Sequence, residues 1–218
     1  MSLVSIPENS KIEWWTNYDY CEDINGDRGF TVSLVGFCSG TSDLLRVVRD
    51  VATAKPSHPI AQFVKPLEAV DGTPSHMGLG SLCSTIHSNN DDTWKNAVWN
   101  GIRREYWDPA AEWAAKHGLT SALSKGFLFD VALNHGSEVI DELAKKTGKN
   151  PKTVGEKAFM MEFMKARAAV ITSGDDTTNN GQTDRVDLWK SILQKENMQL
   201  KRPLKDLKCY GDTFEITG

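Results

Sequence analysis

Phe30-Thr31-Val32-Ser33-Leu34-Val35, running on into Gly36-Phe37-Cys38-Ser39-Gly40-Thr41-Ser42-Asp43, is the one stretch of this 218-residue chain where apolar and polar residues alternate beside glycines. A two-residue period of that kind is the mark of a half-buried strand. Helical spacing dominates the remainder of the chain. The run therefore predicts a small sheet in the first third of a mainly α (α+β) chain.

Downstream, Asp91 to Tyr106 sets Trp94, Val98, Trp99 and Ile102 at helical spacing, with Asp91 or Asp92 as the cap. Asp108-Pro109 predicts a restart, since aspartate caps a helix and proline is accepted at the first helical position. A third helix is expected from Leu119 to His135, with Gly136 as a left-handed stop. Thr153-Val154-Gly155-Glu156 reads as a capping box before a helix running to Thr172. Asp175 to Gln182 reads as a polar loop, Thr183 to Lys195 as a helix, and Tyr210 to Ile216 as a short strand. Repeats and Ser/Pro linkers are absent, so a single domain over 1–218 is expected, formed of two lobes sharing a cleft.

With 39% hydrophobic residues the chain can bury a substantial core. A formal net charge of -4 argues against a nucleic-acid partner, which calls for a basic stripe able to displace counterions from phosphates. A neutral or cationic partner fits better. No apolar run reaches the length of a membrane span, and Met1 to Pro7 has neither the basic flank nor the apolar core of a signal peptide. Cys21, Cys38, Cys83 and Cys209 are too scattered for a zinc site, and no metal or organic cofactor is expected.

Upstream of the strand, Glu22-Asp23-Ile24-Asn25-Gly26-Asp27-Arg28-Gly29 packs three carboxylates and an arginine onto a glycine-rich bend. A solvated turn is one reading. The other pairs this bend with Glu8, which precedes the amphipathic run Lys11 to Tyr20; Glu8 alone would read as an acid favouring the amino end of a helix there. Two carboxyls facing each other over a trough are what inverting sugar hydrolysis needs. One protonates the leaving oxygen, and the other activates water on the opposite face of the ring.

At these residues the sequence resembles the chitosanases of glycoside hydrolase family 46. Glu8-Asn9-Ser10, Glu22-Asp23-Ile24, Arg28-Gly29-Phe30-Thr31 and above all Gly36 to Asp43 carry the resemblance. Ser75 to Gly80, Tyr106 to Ala110, Ala166 to Ala169, Arg185-Val186-Asp187 and Tyr210-Gly211-Asp212 continue it in family order. It implies a lysozyme-like fold, two lobes flanking a substrate cleft, and chitosan as the cationic polysaccharide bound there. Glu8 matches the general acid, Thr31 the threonine that holds the attacking water, and Arg28 an arginine beside the acids. Residues matching Ser10, Tyr20, Glu22, Gly36, Asp43, Tyr106 and His135 are expected along the sugar. Asp43 also reads as a helix-start acid, and His135 as a structural histidine. Asp130, Arg167 and Arg185 resemble a buried ion network, two arginines sharing an acid because an unpaired buried charge is prohibitive. A monomer and a secreted location are implied as well, and Cys21 with Cys83 is the pair to test first for a disulfide.

The resemblance breaks at one position. In the family the catalytic aspartate lies two residues before the arginine, where this chain has Gly26, with Asp27 adjacent to Arg28. Three outcomes stay open. Asn25-Gly26 favours left-handed geometry, so the bend can shift and present Asp27 as the base. Glu22 or Asp23 can substitute. Or the chain binds chitosan with impaired cleavage. A peptidoglycan hydrolase of the lysozyme type is a further alternative.

Overall fold

The computed structural model describes residues 1–24, 26–173 and 182–217. In chain order its first elements are α1 (Ser2–Asn9), β1 (Cys21–Asp23), β2 (Phe30–Val32), β3 (Phe37–Cys38) and α2 (Asp43–Ala54). Then come α3 (Val64–Val70), α4 (Leu82–Ser88), α5 (Asp92–Ile102), α6 (Asp108–Lys116), α7 (Ala122–His135) and α8 (Val139–Lys146). The chain ends with α9 (Pro151–Val154), α10 (Glu156–Thr172), α11 (Asp184–Gln194), β4 (Leu204–Cys209) and β5 (Asp212–Ile216). These elements fall into two compact units, Met1–Glu13 with Tyr106–Gly218, and Trp14–Glu105.

In the first unit α7 is the central helix. Its sequence has little amphipathic bias, and Leu123, Phe127, Leu128, Phe129, Val131 and Ala132 are all buried, as expected of a helix surrounded by others. Phe127 packs edge-on against Phe163 of α10 and Trp189 of α11. Gly126 makes room for that indole, because a Cβ there would sit 2.8 Å from Trp189. β4 and β5 form a separate antiparallel hairpin.

In the second unit β1, β2 and β3 form an antiparallel sheet, with Glu22 opposite Thr31 and Thr31 opposite Cys38. A disulfide joins Cys21 of β1 to Cys83 of α4. Helices α2 and α5 pack closely where Gly101 faces Val47 and Phe37; a Cβ would lie 2.7 Å from the valine. Trp94 is fully buried and donates its indole N–H to the carbonyl of Tyr18 at 2.7 Å, so the polar atom of a large core residue is satisfied.

Several expectations need correcting. Lys11 to Tyr20 is not a helix; it contains one 3-10 turn, Trp14–Thr16. The helix lies upstream instead, in α1, which contains Glu8 in its last turn and closes at Ser10 in left-handed geometry (φ 50°). The extended run stops at Val32, where Ser33 turns (φ 66°) and β3 returns, so the apolar Leu34 is buried in a turn rather than a strand. Strands β1 and β4 carry too short or too charged an alternation to stand out.

Asp91 caps α5 by accepting the Trp94 amide at 3.1 Å, but the helix passes at Arg103–Trp107 into a π-helical turn that runs straight into α6. Asp108 is therefore the first residue of α6 rather than its cap, inside a continuous helical run. On α5, Trp99 leaves the buried face of Trp94, Val98 and Ile102 and is 37% exposed. Helix α7 begins later than predicted, at Ala122, because Ser121 accepts the Ser124 amide at 3.1 Å; it ends at Gly136 with φ 91°.

The capping box also fails. Thr153 lies inside α9, while the Glu156 carboxylate turns to the amides of Thr120 and Ser121, at 3.1 and 2.9 Å. The polar loop expected from Asp175 lies, up to residue 181, outside the described residues.

Candidate active site

In the first unit the site is built from the end of α1. A carboxylate in the last turn of a helix faces the negative end of the macrodipole, so Glu8 needs a cation. Arg185 of α11 supplies it, pairing its Nη2 with Glu8 Oε1. The same guanidinium binds Asp130 of α7 through Nε at 3.0 Å, and Arg167 of α10 reaches the same Asp130 through Nη1 at 2.7 Å. Arg167 also donates to Asn134 at 2.9 Å and lies 5.2 Å over the Phe127 ring.

Burial by itself would raise the Asp130 pKa, but the charges and hydrogen bonds of Arg185 and Arg167 outweigh it and hold the carboxyl below its usual range. Burial by itself would lower the pKa of Arg185, and Asp130 and Glu8 together push it well above the ordinary arginine value. The result is a chain of charges, Glu8–Arg185–Asp130–Arg167, whose inner members are almost fully buried and whose outer carboxylate retains 25% side-chain exposure.

Ser10 follows Glu8 at the helix stop, where its amide donates to Ile6 at 2.9 Å. Tyr106 sits half-buried in the π-helical turn, and His135 is the last residue of α7, also half-buried. Asn134 and Phe127 escape a reading of the sequence. Asn134 carries a usable signal, being one helical turn after Asp130 on the same face.

In the second unit the sheet register sets Glu22, Thr31 and Cys38 side by side on one face. Tyr20 donates its hydroxyl to Glu22 at 2.9 Å, and Thr31 Oγ1 lies 3.9 Å from the Cys38 sulfur. Gly36 keeps the space beside Thr31 open: a Cβ there would come within 3.1 Å of the threonine methyl. Asp43 is spent largely on local structure. Its Oδ1 accepts the amides of Cys38 and Leu44 and the hydroxyl of Thr41, at 2.9, 2.8 and 2.8 Å, and burial raises its pKa despite those bonds.

The bend before β2 is anchored at one end. Gly29 is left-handed (φ 71°) and presses on Ser39, whose hydroxyl accepts the Phe30 amide at 2.9 Å. The carbonyl of Arg28 accepts the Gly40 amide, also at 2.9 Å. Asp27 and Arg28 themselves are exposed. Gly26 is not left-handed, and Asn25, the other half of the pair expected to favour that geometry, lies outside the described residues. Asp23 approaches His76 at 3.6 Å, and the His76 ring packs 4.3 Å from Phe30, a partnership with no signal in the sequence.

Among the described residues no group of three or more His, Cys, Asp or Glu could hold a metal ion, and no helix is long and apolar enough to cross a membrane.

Glycosyl hydrolase family 46 matches residues 2–204. The chain belongs to that family. Chitosanases of Nocardioides sp. (strain N106) and Streptomyces sp. (strain N174) are both 34% identical to it, covering 100% of this chain and 80% and 81% of their own length. Among solved structures, chitosanase OU01 co-crystallised with substrate aligns with a TM-score of 0.88 at 32% identity, covering 99% of this chain and 94% of that one. The mainly helical fold with its small antiparallel sheet is thus the lysozyme-like fold of the family.

Proposed function

We propose that this chain hydrolyses β-1,4 linkages between glucosamine units inside chitosan, by single displacement with inversion. The observation that carries the reading is Glu8, held at an unfavourable helix end by an arginine that is itself anchored on buried Asp130, in a chain whose relatives are chitosanases. Glu8 gives its proton to the leaving oxygen. Arg185 then stabilises the carboxylate left behind, a fixed charge aimed at where negative charge develops. Asp27 activates the water, Thr31 orients it, and Arg28 supports the charge on the bend.

The substrate suits the acids available. Each glucosamine unit can carry an ammonium group, and Glu22 and Asp43 offer carboxylates to it, which a neutral acetylated sugar would use less well. Ser10, Tyr20, Gly36, Tyr106 and His135 complete the surface along the polymer. The whole of 1–218 works as one catalytic domain, as a monomer and without a metal or organic cofactor. The Cys21–Cys83 disulfide suits an oxidising compartment, in keeping with a secreted enzyme. The relatives lend no support to a peptidoglycan hydrolase or to a binding protein without hydrolysis.

Reducing ends released from chitosan measure the activity, a fast fall in viscosity reports internal cutting, and proton NMR of the first anomer formed reports inversion. Glu8→Gln should abolish reducing-end release with the melting temperature retained. Release by that variant at the wild-type rate removes Glu8 from the chemistry, and a β-anomer product removes inversion.

A further inference from the structure

The second unit carries a second feature suited to a saccharide, away from Glu22, Thr31 and Asp43. Helix α2 ends beside α5, and between them lies a cavity of about 330 Å³ lined by Ala54 and Ala97 together with the polar side chains of Asp50, Lys55, Asp92, Thr93, Asn96 and Asn100. That volume is at the lower end of small-molecule sites, roughly 300 Å³, and the lining holds amides, a hydroxyl and two carboxylates against one lysine. Asp50 already accepts Arg104 at 2.8 Å, which fixes its carboxylate in place.

An aromatic cluster begins one helical turn from Asn96. Trp99 follows Asn96 by three residues on α5, so the two are surface neighbours. Its ring stacks on Trp14 (5.6 Å, 21° between planes), and Trp15 meets Trp14 edge-on at 5.9 Å. Burial explains Trp94 but not these rings: Trp99 is 37% exposed and Trp15 54% exposed. An indole shelf beside amides and carboxylates matches an aminosugar on both counts. The apolar face of a pyranose lies on the rings, while hydroxyls and an ammonium group meet Asn96, Asn100 and Asp92.

We propose that this shelf and cavity bind glucosamine units of the chitosan chain as a non-catalytic surface site, an inference that rests on chitosan being the substrate. Its role is retention. A second contact on one polymer raises the effective concentration of chain at the enzyme without touching the bond that breaks.

The test uses the full chain on insoluble chitosan at low temperature, with two sets of changes, Asn96→Ala with Asn100→Ala, and Trp15→Ala. Alanine suits the exposed helix positions, and Trp15 is the outermost ring. Retention should fall about tenfold. Hydrolysis of a short soluble glucosamine oligomer, and the melting temperature, should match wild type. Wild-type retention by the asparagine pair overturns the surface site while leaving the activity intact. Wild-type protein that neither binds nor cleaves chitosan overturns the substrate reading and the site with it.

Discussion

The Glu8 carboxylate is paired with the Arg185 guanidinium, whose Nε is at the same time bonded to the buried carboxylate of Asp130. One planar side chain thus ties the exposed end of α1 to the centre of the first unit. Lysine keeps the charge but is a single point on a flexible stem, and it cannot serve both acids with fixed geometry. Arg185→Lys should therefore lower kcat by about a hundredfold, the scale of loss when a catalytic group is displaced by an ångström. KM should stay within a few-fold, since the residues proposed to contact the sugar are others. Initial rates on a soluble oligomer decide this, and an unchanged kcat would show that Glu8 needs no such support.

Asp130 predicts an acid-dependent stability. Its folded pKa lies below the unfolded value of about 3.9, so its contribution is complete above that value and is lost as pH falls through it toward the folded pKa. Asp130→Asn leaves Arg167 and Arg185 buried without their shared acid and should cost about 3–5 kcal/mol. Urea midpoints taken from about pH 6 down to about pH 3 should draw closer together for the two proteins as the wild type begins to lose its advantage. Parallel curves would mean that Asp130 contributes nothing specific to its ionisation.

Long periodic helices are legible in the sequence because one face of each must be apolar. Val186, Trp189 and Leu193 share a face of the helix expected from Thr183 to Lys195, and α11 buries all three. Capping is less legible because it is decided by tertiary partners. Glu156 has a Thr three residues before it, yet the amides of Thr120 and Ser121 offer its carboxylate three hydrogen bonds from across the fold, counting both oxygens at the Thr120 amide and one at Ser121. Strands of two or three residues, such as β1 and β3, are too short for a period to show. In the site, the network of Asp130, Arg167 and Arg185 is legible through the family resemblance, whereas the position of Glu8 at a helix end is not. Pro7 looks like a boundary but is carried inside α1, near its carboxyl end.

The disulfide offers a prediction confined to the second unit. Cys21 and Cys83 are 62 residues apart, and closing a loop of that size removes chain entropy from the unfolded state equivalent to about 4 kcal/mol. Cys83→Ser should lower the urea midpoint accordingly, and reductant should do the same to wild type while leaving the variant unaffected. The pairing links β1, which carries Glu22 and Asp23, to α4, so activity should fall along with stability as β1 loosens. Mass measurement with and without reductant, followed by melting curves, separates this from an effect of the substitution alone.

The bend at Gly26-Asp27 tests which residue serves as base. Gly29 and Gly40 cannot change freely: a Cβ on Gly29 would sit 2.2 Å from the Ser39 hydroxyl, and one on Gly40 2.2 Å from the Thr73 carbonyl. Gly26 is different, because its φ is outside the left-handed region and a Cβ there meets only the Ile24 side chain, at 3.7 Å or more. Aspartate is therefore accepted at 26 without strain, and the exchange Gly26→Asp with Asp27→Gly moves the carboxylate by one residue while keeping the charge and length of the bend. Side chains one residue apart point in different directions, so the two arrangements cannot be equivalent for ordering a water. If Asp27 is the base, the exchange lowers kcat by about a hundredfold, and Asp27→Asn alone does at least as much. If the exchange raises kcat instead, the bend is built for a carboxylate at 26 and Asp27 is the weaker substitute. Equal rates for wild type, exchange and Asp27→Asn would remove position 27 from the reaction and transfer the role to Glu22 or Asp23, which Glu22→Gln and Asp23→Asn would then separate.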